Sequence, residues 1–211
     1  MKSINAINTS QVVNILLAIC VLLLILKLSN NPKDDMSQKN NTLETIHQRK
    51  SVRSYTDEVV SQEQLETLVK AAMAAPTAVN KQPWAFIAIR EREVLDKLGN
   101  GLPYAKMLKK ASAAIIVCGD LNKALEGWEQ EFWIQDCSAA SQNILLAAQS
   151  MGLGAVWTAA YPAEDRMQTV KETLNLPEHI IPLNVIPIGY PTGIEKPKDK
   201  WKPGNLHWDK W

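Results

Sequence analysis

One short segment of this chain carries side chains that could hold a phosphate. It reads Arg49-Lys50-Ser51-Val52-Arg53. In an extended segment residues 49, 51 and 53 share a face, and in a helical turn 49 and 53 do, so either geometry brings two guanidinium groups together. Guanidinium groups pair with phosphate oxygens two at a time, and the Ser51 hydroxyl adds a short donor. In isolation, such a segment is more typical of a solvated basic turn.

A second segment could bind the ring of a phosphorylated compound. It runs Ala75-Pro76-Thr77-Ala78-Val79-Asn80-Lys81-Gln82-Pro83-Trp84, directly before an apolar stretch that ends at Ile89. The amides of Asn80 and Gln82 could hydrogen-bond the edge of a planar ring, or they could satisfy backbone groups of their own loop. Trp84 is assigned to packing. Together the two segments suggest a phosphorylated, ring-bearing cofactor.

The order and separation of these motifs resemble the FMN-dependent nitroreductase family. Its members carry an R-x-S-x-R/K segment near the start and an N-x-Q-P-W segment after the next helix. The likeness continues at Gly152-Leu153-Gly154-Ala155-Val156-Trp157-Thr158 and at Lys196-Pro197-Lys198-Asp199-Lys200, and it covers residues 42 to 211. Each motif alone is weak, but the four in this order make the resemblance specific.

The resemblance implies bound FMN, with NAD(P)H as the electron donor. Arg49 and Ser51 would hold the FMN phosphate. Arg53 would lie near the pyrimidine end of the flavin, where a cation stabilises the negative charge that develops on reduction. Lys198 and Lys200 match a family K-x-R pattern that adds a second cationic wall, although lysine lacks the bidentate fork of arginine.

The resemblance also implies contacts with the flavin ring. Asn80 matches a residue that hydrogen-bonds the ring, and residues 158–160 match backbone amides placed against it. Some relatives carry Glu-Gly where this chain has Ala159-Ala160. The complete predicted cofactor-binding set is Arg49, Lys50, Ser51, Arg53, Pro76, Thr77, Asn80, Gln82, Trp157, Thr158, Ala159, Ala160, Lys198 and Lys200. No catalytic acid or nucleophile is predicted, because flavin carries the electron chemistry.

The elements that would position these motifs follow no regular βαβ alternation, which favours an α+β domain. Periodicity and capping signals predict four helices and four strands. The helices cover residues 42–50, 61–75, 135–151 and 162–174, and the strands cover residues 84–89, 113–118, 153–158 and 182–188. The resemblance adds a central, mainly antiparallel sheet flanked by helices, in an interlocked homodimer with two FMN sites at the subunit interface. The apolar tail would pack on the partner.

The N-terminal region contains an almost uninterrupted apolar stretch over residues 12–28, which is near the lower length limit for a membrane span. A cleaved signal peptide is the competing interpretation, but no clean small-x-small cleavage site follows. The sequence therefore predicts an anchor within residues 1–29, a polar linker over 30–41 and the catalytic domain over 42–211. The need for reduced nicotinamide favours a domain that faces the cytoplasm.

Composition and missing motifs exclude several other classes. The formal net charge is +1, from 23 basic and 22 acidic residues, so no overall field favours nucleic acid. The chain has neither a G-x-G-x-x-G motif nor a P-loop motif. His47, His179 and His207 are scattered without ligand spacing, so no metal site is predicted.

The resulting functional hypothesis is an oxidoreductase with a ping-pong cycle that ends on a nitroaromatic, a quinone or a similar acceptor. A flavin reductase, an enone reductase or a reductive dehalogenase on the same scaffold is the alternative within enzymes, since a fold does not fix the acceptor. A non-catalytic FMN-binding sensor and a basic interaction domain without cofactor are alternatives from other classes.

Overall fold

The computed structural model describes residues 10, 14, 17–22 and 42–211. The chain forms two compact units, Met1–Glu44 and Thr45–Trp211. In the first unit the described residues are helical. The second unit contains every residue of the predicted site, whereas the predicted linker over 30–41 lies outside the described residues.

The prediction of a membrane anchor over residues 12–28 is wrong. A span needs about 20 consecutive apolar residues, and no helix among the described residues is long and apolar enough to cross a membrane. Of the predicted span, residue 14 and residues 17–22 are described, and the remainder lies outside the described residues. The localisation predicted from this anchor is wrong for the same reason.

The second unit is built on an antiparallel sheet. Its strands are β1 (Trp84–Ile89), β2 (Ala113–Asp120), β3 (Gly154–Ala155), β4 (Thr158–Ala159) and β5 (Ile180–Gly189). The order is β1-β2-β5-β3, and β4 also pairs with β5. Every pairing is antiparallel. The central strand β2 is buried along its whole length, as its run of small and branched apolar residues requires. The predicted α+β class and antiparallel sheet are confirmed.

Four α-helices cover the two faces of the sheet: α1 (Gln62–Met73), α2 (Arg92–Gly101), α3 (Phe132–Ser150) and α4 (Glu164–Leu174). Successive residues of a strand point to opposite faces, and β2 accordingly divides between two core clusters. Ile115 packs in the cluster with α1 and α3. Ile116 packs in the cluster with α2 and α4. The second unit is therefore a three-layer arrangement of helices, sheet and helices.

Local sequence signals set several helix boundaries. Ser61 caps α1 by the predicted capping box: its hydroxyl accepts from the Gln64 N–H, and the Gln64 side chain accepts from the Ser61 N–H. The helix predicted over 42–50 ends at residue 48, which leaves Arg49 directly after its last turn, with the Arg49 N–H still donating to the Thr45 carbonyl at 3.0 Å. Helix α2 was not predicted from the sequence. Helix α4 begins at Glu164, two residues later than predicted.

The single strand predicted over residues 153–158 is instead the two short strands β3 and β4. β3 pairs with the end of β5 and β4 with its middle, so the register sets Val156 opposite Pro187. Proline has no N–H to donate, so the hydrogen-bond ladder is interrupted there. The interruption falls directly before the residues predicted to contact the flavin ring.

Candidate active site

The predicted phosphate clamp, defined here as residues 49–53, lies along the outer edge of β3. The Val52 N–H donates to the Ala155 carbonyl at 3.0 Å. The buried Tyr55 hydroxyl donates to the Val52 carbonyl at 2.8 Å, and burial raises the pKa of Tyr55, which keeps the phenol a neutral donor. The clamp is therefore held next to the segment that leads into Trp157.

Gly154 makes this close approach possible, and we expect Gly154→Ala to displace the clamp from β3. A Cβ at position 154 would lie 2.6 Å from Val52 Cγ1 and 2.8 Å from Val52 Cβ. Relieving such overpacking costs about 1–3 kcal/mol, so we expect a lower melting temperature and weaker retention of flavin. Thermal unfolding and flavin content measure the two effects. The control is Gly204→Ala, because a Cβ there meets nothing within 4 Å; identical behaviour of the two variants would contradict this account.

The segment that follows the clamp is joined to the segment that precedes the lysine tail, which is defined here as residues 196–211. The Thr192 N–H donates to the Ser54 carbonyl at 3.1 Å, and Tyr55 and Pro191 form an antiparallel bridge. Beside the clamp is a cleft of about 560 Å³ whose lining includes the cationic side chains of Arg49, Lys198 and Lys200. It is lined by Ile46, His47, Arg49, Pro197, Lys198, Asp199, Lys200 and Trp201.

The cations of this cleft fit a phosphate group. Within residues 42–211, the salt bridges of the structure do not involve Arg49, Lys198 or Lys200. Asp199 also lines the cleft but forms no salt bridge with these cations among the described residues. Three cations in one cleft repel one another, and an anion between them relieves that repulsion. Ser51 is half-buried and Arg53 is exposed. Neither Ser51 nor Arg53 lines this cleft.

The predicted ring-binding loop has an unusual backbone. Val79, Asn80 and Gln82 have positive φ angles of 41°, 59° and 50°, a region that non-glycine residues rarely adopt. The Gln82 Nε2 donates to Asn80 Oδ1 at 2.9 Å, and the Gln82 N–H donates to Thr77 Oγ1 at 3.1 Å. The two amides thus support the loop in part. Both side chains remain exposed, and strained exposed segments of this kind concentrate at functional sites.

Asp136 of α3 hydrogen-bonds the backbone of this loop. Its Oδ1 accepts the Ala78 N–H at 3.0 Å, and the side chain belongs to the buried part of α3. Burial raises the pKa of Asp136, and the hydrogen bond from Ala78 opposes that rise without cancelling it. The fold therefore favours the protonated carboxyl more than water does.

This raised pKa gives the stability a defined pH dependence. The contribution of Asp136 to the free energy of unfolding is fully present below the ordinary aspartate pKa of about 4, and it is lost as pH rises through the raised value. Asp136→Asn does not titrate. We expect the unfolding free energy of the wild type, minus that of the variant, to fall as pH rises from about 4 towards neutrality. Urea unfolding at several pH values measures this difference in unfolding free energy, with the exposed Asp57→Asn as the control variant. A difference between wild type and Asp136→Asn that does not change with pH would rule out the proposed titration of Asp136.

Within one chain, α3 separates the loop from the clamp. The loop contacts Asp136 near the start of α3, whereas the clamp contacts Ala155, which follows the end of that helix at Ser150. The helix rises about 21 Å between residues 136 and 150. A single chain therefore does not bring Asn80 to Arg49.

The segment predicted to contact the flavin ring contributes one exposed residue. The Thr158 hydroxyl is buried and donates to the Val185 carbonyl at 2.6 Å. The Ala160 N–H donates to the Leu183 carbonyl at 3.0 Å. Trp157 is half-buried and packs on the core. Ala159 is exposed between these residues, so a contact from this segment centres on Ala159.

Two exposed residues near the candidate site, Tyr104 and Lys106, were not predicted from the sequence. Met107 packs with Val52 and Tyr55, and Ala105 shares a buried cluster with residue 160. The exposed residues 104 and 106 therefore flank a buried position, and Lys106 directly precedes the residue that packs against the clamp. No motif marks them, and their place near the site depends on tertiary contacts alone. The described residues contain no group of three or more His, Cys, Asp or Glu side chains that could hold a metal ion.

Comparison with known proteins identifies the family. A model described as "Nitroreductase family" matches residues 46–102 and 101–190. The chain is 46% identical over 179 residues to a protein of Methanothermobacter thermautotrophicus named "Putative NADH dehydrogenase/NAD(P)H nitroreductase", covering 84% of this chain and 92% of that protein. It is 32% identical over 180 residues to "FMN reductase (NADPH)" of Bacillus subtilis, covering 76% and 70% of the two chains.

A solved structure extends the likeness to the fold. This chain resembles the crystal structure of a protein from Parabacteroides distasonis that has the same name as the Methanothermobacter protein. The sequence identity is 52% and the TM-score is 0.76, and the match covers 81% of this chain and 98% of that one. This chain therefore belongs to the nitroreductase family. The predicted family, fold and enzyme class are confirmed. FMN and NAD(P)H are confirmed as the cofactors of that class.

Proposed function

We propose that this chain uses bound FMN to move electrons from NAD(P)H to a nitroaromatic, a quinone or a similar acceptor. The observation that carries the proposal is the cluster of Arg49, Lys198 and Lys200, which form no salt bridge with any described residue and line one cleft in a chain of this family. When bound, FMN supplies the electron chemistry by accepting hydride from NAD(P)H and passing electrons to the second substrate in a ping-pong cycle. The protein's own residues bind and orient it.

The phosphate end would be held by the clamp and the tail. Arg49 offers a bidentate fork, and Lys198 and Lys200 add point charges from the facing segment. Ser51 lies in the clamp but does not line the cleft, and in this proposal its hydroxyl would turn to the phosphate as a further donor. The exposed guanidinium of Arg53 would stabilise negative charge at the pyrimidine end of the ring.

The ring end requires a second copy of the chain in this proposal. The loop with Asn80 and Gln82 lies too far from Arg49 along α3 to serve the same site in one chain. Both amides are exposed and available to a neighbouring subunit. We therefore assign the loop of each subunit to the site of its partner, in a homodimer with two composite sites.

The surface of the second unit favours such a dimer. β1 is an edge strand, and a groove of about 900 Å³ runs between β1 and α1. Residues 196–211 are exposed throughout, including Trp208 and Trp211 at 79% and 101% exposure. Large exposed apolar side chains and an open sheet edge are both typical of surfaces that a partner covers. We therefore assign the tail of one copy to the groove of the other.

Steady-state and rapid kinetics test the proposed activity. NADH or NADPH should bleach the flavin of the purified protein without an acceptor present, and a nitroaromatic or quinone should then restore the colour. Double-reciprocal plots at several acceptor concentrations should be parallel, as a ping-pong cycle requires. Free FMN or FAD as acceptor tests the flavin-reductase alternative, which the name of the Bacillus subtilis relative favours. Bound flavin that neither nicotinamide reduces would support the sensor alternative instead.

A further inference from the structure

Glu195 connects the clamp to the lysine tail. Its Oε1 accepts the Arg53 N–H at 2.8 Å and the Ser54 N–H at 3.0 Å. Its Oε2 is buried and has no hydrogen-bond partner in the described part of the chain. One carboxylate oxygen therefore receives two consecutive backbone donors from the end of the clamp.

Glu195 is also the last residue among the described ones that joins the tail to the rest of the unit by a hydrogen bond. Among the described hydrogen bonds, those made by residues after Glu195 stay within the tail. The Trp201 N–H donates to Asp199 Oδ1, and the remaining bonds join residues 202 to 210. Lys198 and Lys200 come three and five residues after this last connection. Their position relative to Arg49 therefore depends on Glu195.

The charge state of Glu195 strengthens the connection. Burial of the carboxylate opposes ionisation, but the backbone donors of Arg53 and Ser54 outweigh it and lower the pKa of Glu195. Hydrogen bonds to an ionised acceptor are about twice as strong as neutral ones. The carboxylate also repels a bound phosphate, and salt screens that repulsion only at separations beyond about 10 Å. Anchoring and repulsion therefore predict opposite changes in FMN affinity when Glu195 is replaced, and we expect anchoring to dominate.

We propose that Glu195 is a positioning residue that sets the spacing between the two cationic walls of the phosphate site, Arg49 on one side and Lys198 and Lys200 on the other. It makes no contact with the cofactor itself. The inference rests on the proposed FMN site and adds to it a residue whose effect is largest at the phosphate end.

Two flavins distinguish this role from a general effect on folding. FMN carries the phosphate, and riboflavin has the same ring without it. We expect Glu195→Ala to weaken FMN binding about tenfold and Glu195→Gln to weaken it less, because glutamine keeps a neutral acceptor. Riboflavin affinity should fall clearly less than FMN affinity in both variants, because riboflavin shares the ring contact assigned to Arg53 but lacks the phosphate. Dissociation constants come from fluorescence titration of the full-length apoprotein at fixed salt, with the exposed Glu58→Gln as the control that should match wild type for both flavins.

Each other outcome overturns the inference. Equal losses for FMN and riboflavin would make Glu195 a merely structural residue. Unchanged or tighter FMN binding would show that the tail does not depend on it, or that repulsion of the phosphate dominates. If the wild-type protein bound neither FMN nor inorganic phosphate, the proposed function would fall together with this inference, whereas wild-type FMN binding with an unaffected Glu195→Ala variant would remove the inference alone.

Discussion

Arg49→Ala is expected to lower the affinity for FMN by about 10- to 100-fold. Charge-assisted hydrogen bonds contribute about 1.5–3 kcal/mol, and each 1.4 kcal/mol corresponds to a factor of ten in the dissociation constant. Arg49 is the one arginine that lines the phosphate cleft, so its fork has no substitute there. Fluorescence titration of the apoprotein with FMN measures the change.

Matched variants show whether the fork or the charge is responsible. Arg49→Lys keeps the charge and loses the bidentate geometry, so its loss should be smaller than that of Arg49→Ala. Asp199→Asn removes a carboxylate from the same cleft and should leave FMN affinity equal or slightly higher, because a negative charge beside a phosphate is unfavourable. An FMN dissociation constant that Arg49→Ala leaves unchanged would contradict the proposed phosphate site.

A heterodimer of two defective chains is expected to regain activity if each site is shared between subunits. Arg49→Ala damages the clamp, and the double variant Asn80→Ala/Gln82→Ala damages the loop. In a heterodimer of the two, one site combines both defects, and the other combines an intact clamp with an intact loop. A two-fold dimer therefore regains about half of the wild-type activity.

Different affinity tags on the two chains allow the heterodimer to be purified after co-expression. Each defective homodimer, purified with the same tags, is the control and should show the low activity of a dimer without an intact site. Should the heterodimer be no more active than the average of the two homodimers, clamp and loop act within one chain, and the assignment of the loop to the partner's site is wrong.

Local chemistry explains what the sequence predicted correctly. The capping box of Ser61 and Gln64 depends on residues three apart, and the structure contains it. The apolar run that begins at Ala113 forms a fully buried strand, because a short run of small and β-branched apolar residues favours a buried strand. Arg49 and the tail lysines Lys198 and Lys200 line one cleft, whereas Ser51 and Arg53 of the same motif do not.

The errors and omissions depend on distant residues. The strand over 153–158 is divided because Pro187 lies opposite Val156, and that register is visible only after β5 is in place. The role of Glu195 was invisible because its hydrogen-bond partner, the Arg53 N–H, lies 142 residues away in sequence. The separation of loop and clamp follows from the length of α3. The spacing of two motifs along a sequence does not reveal that a long helix will hold them apart in the fold.

The most direct test of the account is the flavin content of the purified protein. The full-length chain should be incubated with excess FMN, freed of unbound ligand, and measured by visible absorption before and after release of the chromophore by denaturation. The account predicts about one FMN per chain, consistent with one site for each subunit of a two-fold dimer, and bleaching of its absorption by NADH or NADPH. A colourless protein after this treatment would contradict the central claim that the clamp and the lysine tail form an FMN site.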